Sequence, residues 1–220
     1  MTLAIFDLDN TLIAGDSDHL WGDWLVQQDI VDRQHYKETN DQFYADYQDG
    51  RLDIMAYLRF SLKVLADNDM AQLHYWRQQF LADTLPAIWL PQAEALLRKH
   101  RDQGHTLMII TATNDFVTAP LADRLGVDHL LATMAERRGH HYTGKVAGTP
   151  CYREGKVLRL REWLKSHDET LEGSWFYSDS HNDLPLLEKV DHPVAVDPDA
   201  TLDRQARERG WPVISLRDKG

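Results

Sequence analysis

Leu3, Ala4, Ile5 and Phe6 form an apolar run that stops at Asp7. A short run closed by acid predicts a buried strand with Asp7 at its carboxyl end. From about Gly15 to Asp83 the pattern turns helical. Trp21, Trp24 and Leu25 recur at helical spacing; so do Ile54, Leu58, Ser61, Leu62 and Leu65, then Leu73, Trp76, Arg77 and Phe80. No strand pattern interrupts this stretch. Polar turns at Asp49-Gly50 and Asp67-Asn68-Asp69 divide it into roughly four helices. After Pro86 and Pro91, helix and strand alternate. Ala93, Leu96, Leu97 and His100 mark a helix that Gly104 stops. Residues 106–110 read as a second buried strand ending in Thr111. Asp115 is placed to cap a helix that runs to about Leu125 and stops at Gly126. Residues 130–134 and 142–146 read as a strand pair joined through Arg138-Gly139. There follow a helix over 154–166, a strand over 174–177 ending at Ser178-Asp179, a short helix from Asp183, a strand over 193–196 and a last helix after Thr201.

This alternation predicts an α/β fold: a parallel sheet with helices on both faces, interrupted after its first strand by an all-helical insert. The insert is expected to span 15–83, and the sheet domain 1–14 and 84–220. Ligands bind such sheets at the carboxyl ends of the strands. Asp7, Thr111 and Asp179 all fall there, so three distant segments should converge.

The chain has 220 residues, of which 43% are hydrophobic, enough for one core with an insert. Its 35 acidic and 24 basic residues give a net charge of -11, which repels nucleic acid. The densest basic groups, Arg98-Lys99-His100-Arg101 and Arg137-Arg138, read as solvated faces, so no nucleic-acid partner is expected. Cys151 stands alone, which rules out an internal disulfide and suits a reducing compartment. Asp7 and Asp9 break the N-terminal apolar run, and no apolar stretch reaches spanning length. The expectation is a cytoplasmic protein without a membrane partner.

The chemistry lies in four segments. Asp7 and Asp9 stand two residues apart just past a strand, in Phe6-Asp7-Leu8-Asp9-Asn10-Thr11-Leu12. One carboxylate could attack phosphorus and hold a cation; the other could exchange a proton with the leaving group. A plain polar turn is the alternative, and a calcium loop lapses at Leu12, where glycine is required. In Thr111-Ala112-Thr113-Asn114 a strand-end hydroxyl followed by backbone amides suits a phosphate oxygen. Lys156 opens a helix and could hold phosphate and nucleophile together, or simply face solvent. In Ser178-Asp179-Ser180-His181-Asn182-Asp183, two acids four apart make a hard-oxygen site for Mg²⁺, or Asp183 serves only as a helix cap. His181 lacks a second histidine at ligand spacing.

Together these segments resemble the haloacid-dehalogenase superfamily of aspartyl-phosphate phosphatases. Asp7 and Asp9 match its first motif, Thr111 its second, Lys156 its third, and Asp179 with Asp183 its fourth. The helical insert after the first motif resembles the phosphoserine phosphatase branch, and the whole chain is most similar to its bacterial histidinol-phosphate phosphatases. Thr111-Ala112-Thr113 departs from the serine followed by glycines usual in phosphoserine phosphatases. The resemblance implies a Rossmann-like core and a helical cap that closes over the strand ends. It implies Mg²⁺ on the Asp7 and Asp179 carboxylates and the Asp9 carbonyl, with Asp183 behind them. Asp7 would be the nucleophile and Asp9 the acid and base, while Thr111, Ala112 and Lys156 would hold the phosphate. The implied substrate is a small amine-bearing phosphate ester, with L-histidinol phosphate preferred to phosphoserine. Asp16 falls where phosphoserine phosphatases place a glutamate for the substrate amine, unless it only caps a helix. Their carboxylate-binding arginine falls near Ser61, with Arg59 the nearest basic residue. An imidazole could meet Asp18, His19 or a cap tryptophan, although the helical spacing of Trp21 and Trp24 favours packing within the cap. The rival readings are a phosphotransferase or mutase, or a non-catalytic phosphate-binding protein on the same fold. The four intact acids argue against the last.

Overall fold

The computed structural model describes residues 2–217. The chain begins with β1 (Leu3–Phe6) and then five helices: α1 (Ser17–Gln27), α2 (Arg33–Gln48), α3 (Ile54–Ser61), α4 (Lys63–Asp67) and α5 (Met70–Ile88). It continues through α6 (Pro91–Asp102), β2 (Thr106–Asn114), α7 (Asp115–Leu125), β3 (His129–Thr133), β4 (Ala135–Arg138), β5 (His141–Val146), α8 (Glu154–His167) and β6 (Trp175–Ser178). Last come α9 (Leu184–Leu187), β7 (His192–Val196), α10 (Ala200–Arg209) and β8 (Val213–Ile214).

Six strands form one parallel sheet in the order β3-β2-β1-β6-β7-β8. Side chains alternate across it, so β1 sends Ala4 and Phe6 to one apolar layer and Leu3 and Ile5 to the other. The first layer includes Leu97 of α6 and Leu121 of α7; the second includes Leu160 of α8 and Leu202 of α10. Helices thus cover both faces, which explains the unbroken apolar strands. The strand order reverses between β1 and β6. Asp7 and Asp179, which follow those strands, therefore flank the crevice where such sheets bind ligands.

A third apolar cluster holds the helical cap. Trp21, Trp24, Leu58, Leu62, Leu73 and Phe80 pack with Phe116 and Val117 of α7. Trp21 and Trp24 stack on each other with ring centroids 5.6 Å apart. They are packing residues, and neither lines the ligand cleft.

Several elements differ from the sequence reading. The cap has five helices rather than about four, and α5 carries Pro86 in its last turn and runs on to Ile88. The expected pairing of 130–134 with 142–146 is not formed. β3 instead joins the main sheet beside β2, and β5 pairs with β4 through a turn in which Gly139 takes a φ of +61°. Ala135-Glu136-Arg137-Arg138 has no strand signature. The hairpin is held by packing: Ala135 and Tyr142 are buried against the cap, and the Arg137 guanidinium lies 4.7 Å from the Tyr142 ring centroid. Asn114, rather than Asp115, caps α7 through its side-chain oxygen, while Asp115 accepts from the Ala135 amide at 2.8 Å. The short strand β8 gave no signal in the sequence.

Candidate active site

Asp7 leaves β1 with its amide donating to the Tyr177 carbonyl at 2.9 Å, so its backbone extends the sheet while its side chain enters the crevice. Lys156 reaches it from α8. The ammonium lies 2.9 Å from Asp7 Oδ1 and 2.8 Å from the Asp183 carboxylate, with all three residues buried. Gly155 makes this approach possible, because a Cβ there would lie 2.0 Å from the Pro150 carbonyl oxygen. Asp183 also accepts from the Ser178 hydroxyl at 2.7 Å. Asp179 accepts from the Thr11 hydroxyl at 2.9 Å.

Asp9 faces β2 and the cap. The Ser17 amide donates to its Oδ1 at 2.7 Å, and the Thr113 and Thr111 hydroxyls donate to its Oδ2 at 2.8 and 3.2 Å. Pairing of β2 with β3 is regular to Ile110↔Leu131 and resumes at Asn114↔Thr133. The bulge between them turns Thr111, Ala112 and Thr113 into the cleft.

Two carboxylates hold the one ammonium and Asp9 and Asp179 lie close to Asp7, and the electrostatics follow. Burial, with the Asp183 and Asp9 charges, pushes the Asp7 carboxyl up to about 7 against the pull of Lys156. Burial and the Asp7 charge hold Asp179 well above the usual carboxylate range. Burial opposes the charge on Lys156, but Asp183 and Asp7 outweigh it and keep the ammonium protonated. Asp7 and Asp179 offer hard oxygen donors in a pocket short of positive charge. A divalent cation fits that chemistry.

Above these residues lies a cleft whose empty space, open solvent at its mouth included, is about 530 Å³. Its cap wall carries Asp16, Asp18, His19 and Asn40, with Phe43, Tyr44, Tyr47 and Tyr57. Asp16 caps α1, accepting from the Asp18 and His19 amides at 3.1 and 2.9 Å through Oδ1. Asp18 is 6% exposed, bonds Asn114 Nδ2 at 3.2 Å and also pairs with the Tyr57 hydroxyl. Burial pushes its carboxyl up to about 7, the Tyr57 bond opposing and the Asp9 charge adding. His19 stacks on Tyr44 with centroids 4.4 Å apart. Arg59 does not join the site. It is exposed on α3 and does not line the cleft, because α3 buries Leu58 and Ser61 and presents Tyr57 instead. His181 also stays out of the cleft, with Nδ1 2.8 Å from Asp199.

The sequence reading gave no role to Thr11, Ser17, Thr113, Asn114 or the cleft aromatics. Thr113 was visible as a hydroxyl two positions past Thr111, on the same strand face. Phe43, Tyr44 and Tyr47 of α2 continue the helical spacing of Tyr36, so a stripe of rings was there to be found in the sequence.

Residues 4–188 match the haloacid dehalogenase-like hydrolases. The chain belongs to that family. It is a phosphatase, and phosphatases of this family generally work with a divalent metal. It is 42% identical over 219 residues to a histidinol-phosphatase of Neisseria meningitidis serogroup C (strain 8013), covering 98% of this chain and 99% of that one. A phosphoserine phosphatase of Mycobacterium tuberculosis (strain ATCC 25618 / H37Rv) is 31% identical, over 97% of this chain and 70% of its own. Among solved structures, a Bordetella pertussis Tohama I protein of unknown function superposes with a TM-score of 0.92 at 41% identity, covering 99% of this phosphatase and 100% of that chain. A phosphoserine phosphatase solved as a phospho-aspartyl intermediate analogue shares the fold, with a TM-score of 0.72 at 17% identity over 98% of this chain and 93% of that one. Among the described residues, no helix is long and apolar enough to cross a membrane.

Proposed function

We propose that this phosphatase hydrolyses L-histidinol phosphate with Mg²⁺ as its cation, through a phosphoryl group carried on Asp7. One observation supports the substrate above others: the cleft beyond the acid cluster is lined by Asp16, Asp18 and aromatic side chains, with no Lys or Arg among its described lining residues. Such a wall suits a cationic amine and a flat ring. A substrate carboxylate would lie there beside Asp16 and Asp18 with no Lys or Arg to pair it, at a cost that selects against phosphoserine. The name of the Neisseria relative agrees with this reading.

Bound Mg²⁺ would supply positive charge against the phosphoryl oxygens. An Asp7 carboxylate oxygen attacks phosphorus in line, and the bond to the substrate oxygen breaks as Asp9 gives that oxygen a proton. Asp9 then takes a proton from a water molecule, which attacks the same phosphorus. The bond to Asp7 breaks, returning the carboxylate and free phosphate. Lys156, fixed by Asp183, offsets charge on Asp7 and the phosphoryl group, and the Thr111 hydroxyl and the backbone at Ala112 hold phosphoryl oxygens. The cap excludes water while Asp7 is attacking.

Asp16 would receive the substrate ammonium, since its two capping bonds use Oδ1 and leave Oδ2 to accept from a ligand. Asp16→Asn keeps a good helix cap and removes the charge. A charge-assisted bond of about 1.5–3 kcal/mol is then lost, so kcat/KM for histidinol phosphate should fall about 10–100-fold, with little change for an amine-free alkyl phosphate. Faster hydrolysis of phosphoserine than of histidinol phosphate by the native enzyme would refute the substrate. Equal losses on both esters in Asp16→Asn would show that Asp16 shapes the cap without reading the amine.

A further inference from the structure

Asp9 is held more tightly than its proposed role as acid and base alone requires. The Ser17 amide can only donate, so its 2.7 Å bond fixes Oδ1 as the accepting oxygen and leaves Oδ2 to carry the mobile proton. Two hydroxyls meet at Oδ2. Thr111, at 3.2 Å, is the longer bond, and its hydroxyl is the one assigned above to a phosphoryl oxygen. Thr113, at 2.8 Å, is 5% exposed, and its amide is spent on the Thr111 hydroxyl at 3.2 Å. Its hydroxyl makes the shorter of the two bonds to Oδ2. The Thr113 hydroxyl donates to Oδ2, so it holds that oxygen in place without taking the proton meant for the substrate. Without it, the carboxyl could turn about its broad terminal torsion.

We propose that Thr113 is a positioning residue that aims Asp9 Oδ2 at the leaving oxygen of the substrate. The proposal rests on the reading of Asp9 as the proton donor. Proton transfer matters most when the leaving group is a strong base. An alkoxide needs the proton; p-nitrophenolate leaves without it.

The test compares kcat/KM for an alkyl phosphate and for p-nitrophenyl phosphate in wild type, Thr113→Val, Thr113→Ser and Asp9→Asn. This parameter stops at transfer to Asp7, so the later role of Asp9 as base does not enter. A positioned acid contributes about 10²–10⁴-fold, and its misplacement should forfeit part of that. Thr113→Val should lower the alkyl value about 10–100-fold and the aryl value less than about 3-fold, and Thr113→Ser should return the alkyl value to within about 3-fold of wild type. Asp9→Asn should show the same selectivity, enlarged. Equal losses on both esters in Asp9→Asn would overturn Asp9 as the acid, and this proposal with it. A selective Asp9→Asn beside a Thr113→Val that spares both esters, lowers both equally or is not rescued by serine would overturn the Thr113 role alone. Thr113→Ala must show the same selectivity should the valine variant fail to fold.

Discussion

Lys156 is the residue on which the charge balance of the site turns. It separates two buried carboxylates that would otherwise face each other unneutralised, at 2.9 Å from Asp7 and 2.8 Å from Asp183. Removing one member of such a group strands the others. Lys156→Met should therefore destabilise the fold by about 3–5 kcal/mol in urea unfolding. The loss should be larger at pH 8 than at pH 5, because Asp7, already raised to about 7, must then ionise without its cation. A loss below 1 kcal/mol, or one independent of pH, would contradict this balance. At this scale the sequence marked residues that the fold brings together, Lys156 meeting Asp7 and Asp183 and Thr111 meeting Asp9. Asp7, Asp9, Thr111, Lys156, Asp179 and Asp183 were picked out because acids, a hydroxyl and a lysine at strand ends and a helix start carry recognisable chemistry. Arg59, singled out only as the basic residue nearest Ser61, faces solvent, because one helical face does not carry both positions. The cleft residues of α3, Ile54 and Tyr57, show only in the rotation of the helix.

Among the elements, α2 is held differently from the rest of the cap. α1, α3, α4 and α5 put buried side chains into an apolar cluster that continues into α7 and the β4–β5 hairpin, whereas α2 meets the cap through half-buried rings, Tyr36 and Phe43 against Phe60 and Phe43 against Tyr57. The far end of α2 is tied by polar contacts: Asn182 Nδ2 donates to the Tyr47 carbonyl at 3.0 Å, and Arg153, itself bonded to Asn182, donates to the Gly50 carbonyl. Elements with few apolar contacts open locally at low cost. Hydrogen exchange should accordingly be faster over 33–50 than over 70–85. Asn182→Ala should speed exchange at the α2–α3 turn about 2–10-fold, the worth of one hydrogen bond, and raise KM. Uniform protection across the cap would contradict a loosely held α2. The sequence showed the strongly periodic helices well. It gave no warning of the β4 strand, whose pairing depends on burial of Ala135 and Tyr142 against a distant segment.

At the scale of the whole molecule, the fold carries a cluster of acids that resist ionisation. Burial raises Asp7 and Asp179, and in the cap it raises Asp16 and Asp18. A carboxyl whose folded pKa lies above its unfolded value near 4 favours folding when protonated. That contribution is lost as pH rises from about 4 through about 7. The cation-free protein should therefore lose stability across this window, and a divalent cation should restore it. With Mg²⁺ at about 100 times its Kd the gain is about 2.7 kcal/mol, or roughly 5–10 °C in Tm for a chain of this size. The shift should be clear at pH 8 and small at pH 5; equal shifts at both would place the cation elsewhere. The alternation of helix and strand made the sheet and its ligand edge legible from sequence. The closing strand β8 was not, because two residues carry no pattern.

The central claim is a phosphoryl group on Asp7. It is tested most directly by rapid acid quench during turnover of phosphorus-labelled substrate, followed by peptide mapping. The account predicts an acid-stable label, released by hydroxylamine as an acyl phosphate is, on the peptide containing Asp7, and none in Asp7→Asn. Label on another residue, or steady turnover in Asp7→Asn, would contradict it.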